Sequence, residues 1–114
     1  MEGVIEIKEE KKGELLILRM KGRLDAVSSP VAEKKVFEYI NDGHNQLILD
    51  FSNVAYLSSA GMRMLLSTTK RLKSLSGKLI VCNVTLNVMD VLKMSGFDRV
   101  LELSKTEEEA LHRF

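Results

Sequence analysis

The sequence predicts a single α/β domain, with a mostly parallel β-sheet built from successive β-α units and one antiparallel strand at the N-terminal end. Three observations carry this. Short, nearly solid apolar runs such as Leu47-Ile48-Leu49 and Leu79–Cys82 read as strands buried on both faces, as in parallel sheets. Between them the apolar residues recur at helical spacing, bracketed by helix start and stop signals. The 114 residues, 45% hydrophobic and 29% charged, suit one core and one domain spanning 1–114. No linker, internal repeat or low-complexity tract interrupts it.

The elements follow in the order ββαβαβαβα. Residues 4–9 alternate (Val4, Ile5, Glu6, Ile7, Lys8) and predict a strand with one wet face. Lys11, Lys12 and Gly13 predict a turn, and Leu15 to Met20 a second strand that closes an antiparallel hairpin and ends at Gly22. Ser28-Ser29-Pro30 reads as a cap followed by proline at the first helical position. Ala32, Val36, Phe37 and Ile40 then form one helical face, closed by Asn41-Asp42-Gly43.

Leu47-Ile48-Leu49 predicts a buried strand ending at Asp50, followed by a loop across its C-terminal edge. Ser58 or Ser59 caps the next helix, whose buried stripe is Met62, Leu65, Leu66, Thr69 and Leu72, and Gly77 stops it. Leu79–Cys82 is the next strand. Thr85 or Asn87 opens a helix carrying Val88, Val91 and Leu92, ended by Gly96. Val100–Leu103 predicts the last strand, and Thr106-Glu107-Glu108-Glu109 a capping box before a helix with Ala110, Leu111 and Phe114 on its apolar side. Strands alternating with helices imply right-handed crossovers.

Composition excludes several classes of function. Seventeen basic against sixteen acidic residues leave +1, without the basic stripe of a nucleic-acid surface. One cysteine and two histidines give no disulfide pair and no metal cluster, so no metal or cofactor is expected. The longest apolar runs are four residues, far short of the ~18 to 20 of a spanning helix. With no basic-then-apolar leader at the N-terminus, a cytoplasmic protein without membrane contact is expected.

Catalytic motifs fail on spacing. Gly77-Lys78 is followed by Leu79, and position 72 is Leu, so no phosphate-binding P-loop forms. Ser59-Ala60-Gly61 supplies half of a nucleophile elbow, but position 57 is Leu. His44 and His112 read as solvated, and Cys82 as a small core residue. Lys70, Arg71 and Lys73 complement the end of their helix, as Glu107 to Glu109 complement the start of theirs.

One stretch stands apart. A strand, a loop and two serines opening a helix place Ser58 and Ser59 at the C-terminal edge of the sheet, where open α/β sheets hold their sites. A hydroxyl there meets free N–H groups and the positive end of a helix dipole, a setting that suits a phosphoryl group. Gly61 is expected to leave room for a partner to approach. Plain helix capping by the two serines is the competing explanation.

Leu49-Asp50-Phe51-Ser52, Val54, Tyr56, Ser59 and Gly61 resemble, in order, the pattern of the STAS domain, specifically of bacterial anti-sigma factor antagonists. Gly22-Arg23-Leu24-Asp25, Cys82-Asn83 and Met94-Ser95-Gly96-Phe97 resemble further stretches of that family, so the resemblance spans essentially the whole chain. It implies a non-enzymatic regulator that binds an anti-sigma factor serine kinase of the GHKL type and releases a sigma factor. It also implies that the kinase phosphorylates the serine at the helix start, ending the binding, and that a PPM/PP2C-type serine phosphatase reverses this. The matching serine is Ser59, with Ser58 second. Two positions depart from the pattern: Ser58 replaces an aspartate, and Ala60 replaces a second serine or threonine. Asp25, Ser58, Ser59, Gly61, Met62 and Arg63 form the expected partner surface of a monomer. Asp25 reads equally as the turn residue before the first helix, and Arg63 as a solvated helix residue. Asp50 is expected to be structural. Two other readings remain: a STAS subunit of a larger transport or stress-signalling assembly, and a small nucleotide-binding module using the helix start.

Overall fold

A computed structural model of the chain describes residues 5–114. Its elements are β1 (Glu6–Lys12), β2 (Leu15–Leu24), α1 (Ser28–Asn41), β3 (Gln46–Leu57), α2 (Ser59–Ser74), β4 (Lys78–Cys82), α3 (Leu86–Ser95), a 3-10 turn (Phe97–Arg99), β5 (Leu103–Ser104) and α4 (Glu107–Leu111). The strands form one sheet in the order β1-β2-β3-β4-β5. β1 and β2 pair antiparallel, and every later pair is parallel. The predicted order and mixed sheet are what the structure has.

The strand order advances in one direction, so crossovers of one hand set their helices on one face. Leu16, Leu18, Leu47, Leu49, Val81 and their neighbours form the main core with Ala32 and Val36 of α1, Leu65 and Leu72 of α2, and Val88 and Leu92 of α3. The alternate residues Ile17, Ile48, Ile80 and Cys82 point to the other face and meet Ala110 of α4. Burial on both faces is the physical reason these strands read as solid apolar runs.

Several boundaries differ from expectation. Val4, placed in the first strand, lies outside the described residues. Lys11 and Lys12 belong to β1, and the turn is Gly13-Glu14, with Gly13 at φ +61°. β2 does not stop at Gly22 but runs to Leu24, passing Gly22 at φ +130°. Ser28 and Ser29 are not the cap of α1 but its first residues, both buried, with Pro30 third. β3 does not end at Asp50: it continues to Leu57. The stripe of α2 includes Gly61, Met64 and Thr68, while Met62 and Leu66 are half-buried. The helix ends at Ser74, before Gly77. Gly77 packs against the chain instead, where a Cβ would lie 2.1 Å from the Asn45 carbonyl oxygen. The last strand is Leu103–Ser104, and Val100 is exposed. Among the described residues no helix is long and apolar enough to cross a membrane.

Candidate functional site

The extended β3 decides where the two serines stand. Arg19 pairs with Asp50, Lys21 with Asn53, Gly22 with Val54 and Arg23 with Tyr56. Twice β3 therefore uses one more residue than β2, and each such irregularity bends and twists the strand. The pairing ends at Leu24 and Leu57, so Asp25 and Ser58, the next residue of each strand, leave the sheet at the same edge.

Ser58 is the cap of α2, with extended backbone. Its hydroxyl accepts from the Gly61 N–H at 3.2 Å and donates to the Leu24 carbonyl at 2.8 Å. Its own N–H donates to the same carbonyl at 2.9 Å. Both the donor and the acceptor of this side chain are committed to joining β2, β3 and α2. Ser59 is the first helical residue and is exposed. Its hydroxyl has no hydrogen-bond partner among the described residues. Cap and free hydroxyl are thus divided between neighbouring serines.

Asp25 closes the start of α1. Its carboxylate accepts from the Val27 N–H at 3.0 Å and the Ser28 N–H at 2.8 Å. Those donors, the Ser28 N–H foremost, hold the carboxyl below its ordinary range. The Ser28 hydroxyl accepts from the Asp25 N–H and donates to the Arg23 carbonyl. The capping expected of the serines on α1 is therefore done by Asp25.

Gly61 is buried, and the space beside it is taken by the chain itself. A Cβ there would lie 2.5 Å from Leu57 Cδ1 and 3.0 Å from Leu24 Cβ. The space expected to stand open beside Gly61 is filled by Leu57 and Leu24, and glycine here lets α2 close onto the ends of β2 and β3. Met62 is half-buried against the main core. Arg63 is exposed one turn beyond Ser59 and borders a groove of about 180 Å³ between α1 and α2, shared with Ser29, Pro30, Glu33, Ala60 and Met64.

The same edge carries a pair that the spacing did not single out. The Arg23 guanidinium lies over the Tyr56 ring, 4.3 Å from its centroid. The two residues are register partners, which becomes visible only once the irregular pairing of β2 with β3 is known. α3 is tied to this edge by the Thr85 hydroxyl, which donates to the Val54 carbonyl at 3.2 Å.

Asp50 lies elsewhere, on the α4 face. It accepts from Arg19 at 3.0 Å, from the Ser52 N–H at 3.0 Å and from the Asn83 amide at 3.1 Å. These bonds give Asp50 the structural role expected of it. Cys82 lies buried in the same layer, where burial and the charges of Asp50 and Glu107 push its thiol up to about 12, leaving it inert as a nucleophile at neutral pH. His112 is exposed and bonded to the Glu108 carbonyl on its own helix.

The family model described as the STAS domain matches residues 6–110. An anti-sigma F factor antagonist of Paenibacillus polymyxa is 27% identical over 94% of this chain and 92% of that one. The crystal structure of an anti-sigma factor antagonist from Mycobacterium paratuberculosis superposes with a TM-score of 0.86 at 24% identity, covering 96% of this chain and 93% of that one. The antagonist SpoIIAA of Bacillus, in its unphosphorylated form, superposes with a TM-score of 0.78 at 25% identity, covering 95% of each. Its phosphorylated form gives 0.70 at 24%, covering 95% of this chain and 98% of that one.

Proposed function

The chain belongs to the STAS domain family, and from that premise we propose that it is an anti-sigma factor antagonist switched by phosphorylation at Ser59. In this reading the unmodified chain binds an anti-sigma factor serine kinase of the GHKL type and so frees a sigma factor. The kinase transfers the γ-phosphoryl group of ATP to the Ser59 oxygen, with ADP leaving and the hydroxyl proton passing to the kinase. A PPM/PP2C-type phosphatase hydrolyses the ester and restores binding. The chain itself supplies no catalytic group.

The observation that carries this is the division of labour at the start of α2. Ser58 is held by Leu24 and Gly61, whereas Ser59 is exposed with a hydroxyl uncommitted among the described residues. Modifying Ser58 would break the cap that seats the helix, whereas modifying Ser59 breaks no bond of the fold. The family's aspartate before the acceptor is a capping residue type, and Ser58 performs that capping here.

Phosphorylation adds roughly −1.5 to −2 charge at pH 7. Burying that charge at an interface costs several kcal/mol unless it is paired. The helix start accommodates the group without refolding, so the switch is a local change of charge read by the partner. Asp25, Ser58, Met62 and Arg63 frame the docking surface in this reading, and Gly61 sets its shape from beneath. A nucleotide-binding role at the helix start is less well served, because the groove that Ala60 and Arg63 border with α1, about 180 Å³, is below the roughly 300 to 1,000 Å³ of small-molecule sites. Incubation with the cognate kinase and ATP, followed by mass spectrometry, tests the proposal. Unmodified wild type, or equal modification of Ser59→Ala, refutes it.

A further inference from the structure

We infer that Arg63 is an internal clamp for a phosphoryl group on Ser59, so that phosphorylation both adds an anion to the docking surface and takes up a cation that is unpaired among the described residues. The inference rests on reading Ser59 as the phosphoacceptor. It starts from an arginine that nothing else in the fold explains. α2 carries Arg63, Lys70, Arg71 and Lys73 and no acidic residue. The three later cations stand toward the C-terminal end, where they complement the helix dipole. Arg63 stands near the positive end, where a cation opposes it. It is exposed, and among the described residues it makes no ion pair and no side-chain hydrogen bond. The acid across the groove is Glu33 of α1, which does not close an ion pair with it, and the Asp25 carboxylate is occupied by the Val27 and Ser28 N–H groups.

Ser59 and Arg63 are related as i and i+4, so their side chains are neighbours on one face of α2, with Cβ atoms about 5 to 6 Å apart. The residues between them leave the way open. Ala60 offers only a methyl group, Gly61 is buried without a side chain, and Met62 packs against the core. An anion placed four residues before a cation is the favourable order on a helix, and a guanidinium matches phosphate oxygens in a two-pronged pair. In the unmodified chain Arg63 is free for a carboxylate of the partner. In the modified chain it is occupied.

The test encodes the modified residue directly, as Ser59→phosphoserine incorporated during translation, so it needs no kinase. Phosphorus NMR then titrates the phosphate in the otherwise wild-type chain, in Arg63→Gln and in Arg63→Lys. Nitrogen-15 NMR follows the Arg63 side-chain Nε. The second phosphate pKa is expected to lie about 0.15 to 0.4 unit lower with Arg63 than with Gln. Lys should give an intermediate value, and the Nε signal should move with the phosphate titration. Equal pKa values with Arg63 and Gln, or an Nε signal that ignores the phosphate, overturn the clamp. Failure of the kinase to modify Ser59 would instead overturn the proposed function, so the two failures are distinguishable.

Discussion

The Arg19 guanidinium lies 2.6 Å from the Glu107 carboxylate, joining β2 to α4 across the face of the sheet that the other helices leave open. Arg19 also reaches Asp50 at 3.0 Å and Glu10 at 2.9 Å, and Lys12 reaches Glu107 at 3.2 Å. A helix of five residues has no stability of its own. α4 therefore depends on Ala110 in the small core and on this network. Sequence spacing assigned Glu107 only to the helix dipole. The partner on β2, 88 residues away, makes it a tertiary contact as well.

Glu107→Gln is expected to cost about 1 kcal/mol at pH 7 by urea denaturation, the figure for a charged hydrogen bond discounted for partial exposure. Arg19, then Lys12, holds the Glu107 carboxyl low. Burial pushes Asp50 up, but the Ser52 N–H, the Asn83 amide and Arg19 together leave it lowered. Both carboxyls thus bind protons more weakly folded than unfolded. Their contribution is full above the ordinary values of 4.5 and 3.8 and is lost as pH falls through the folded values. The wild type should lose stability over that window, and Glu107→Gln should lose less. Equal slopes would contradict this.

Two glycines predict an order of damage. At Gly77 an added Cβ meets the Asn45 carbonyl oxygen at 2.1 Å, a backbone atom fixed beside β3 and β4. At Gly61 the closest atom is the end of the Leu57 side chain, with the Leu24 carbonyl oxygen at 3.1 Å. Gly61→Ala should cost about 1 to 3 kcal/mol, and Gly77→Ala clearly more. Thermal denaturation of the two variants checks the order.

Ser29 predicts a gain. Its hydroxyl is buried without a hydrogen-bond partner among the described residues, in a residue only 2% exposed. Ser29→Ala removes an unsatisfied polar group and improves helix propensity, so stability should rise by about 1 kcal/mol. A loss of stability would show that the hydroxyl is satisfied in solution.

Where local chemistry decides an element, the sequence is readable. Gly96 ends α3 at φ +79°, and Thr106 caps α4 by accepting from the Glu109 N–H at 3.1 Å. The solid runs of β3 and β4 betray burial on both faces. What escaped depends on distant chain. Beyond Asp50, β3 buries Phe51, Val54 and Leu57 at every third position, because two irregularities in its pairing break the twofold period. That pattern reads as a loop. Asp25 rather than Ser28 caps α1 because the Ser28 hydroxyl is drawn to the Arg23 carbonyl. The position of Ser59 at a sheet edge was legible. That Ser58 rather than Ser59 caps α2 depends on the Leu24 carbonyl, which no local spacing reveals.

A negative charge on Ser59 is expected to end partner binding. Calorimetric titration of the cognate anti-sigma serine kinase with wild type, Ser59→Ala and Ser59→Asp tests it most directly. Wild type and Ser59→Ala should bind alike, and Ser59→Asp should bind roughly a hundredfold or more weakly, since it buries a carboxylate in the interface and draws Arg63 away from the partner. Equal binding by Ser59→Asp and wild type would contradict the account.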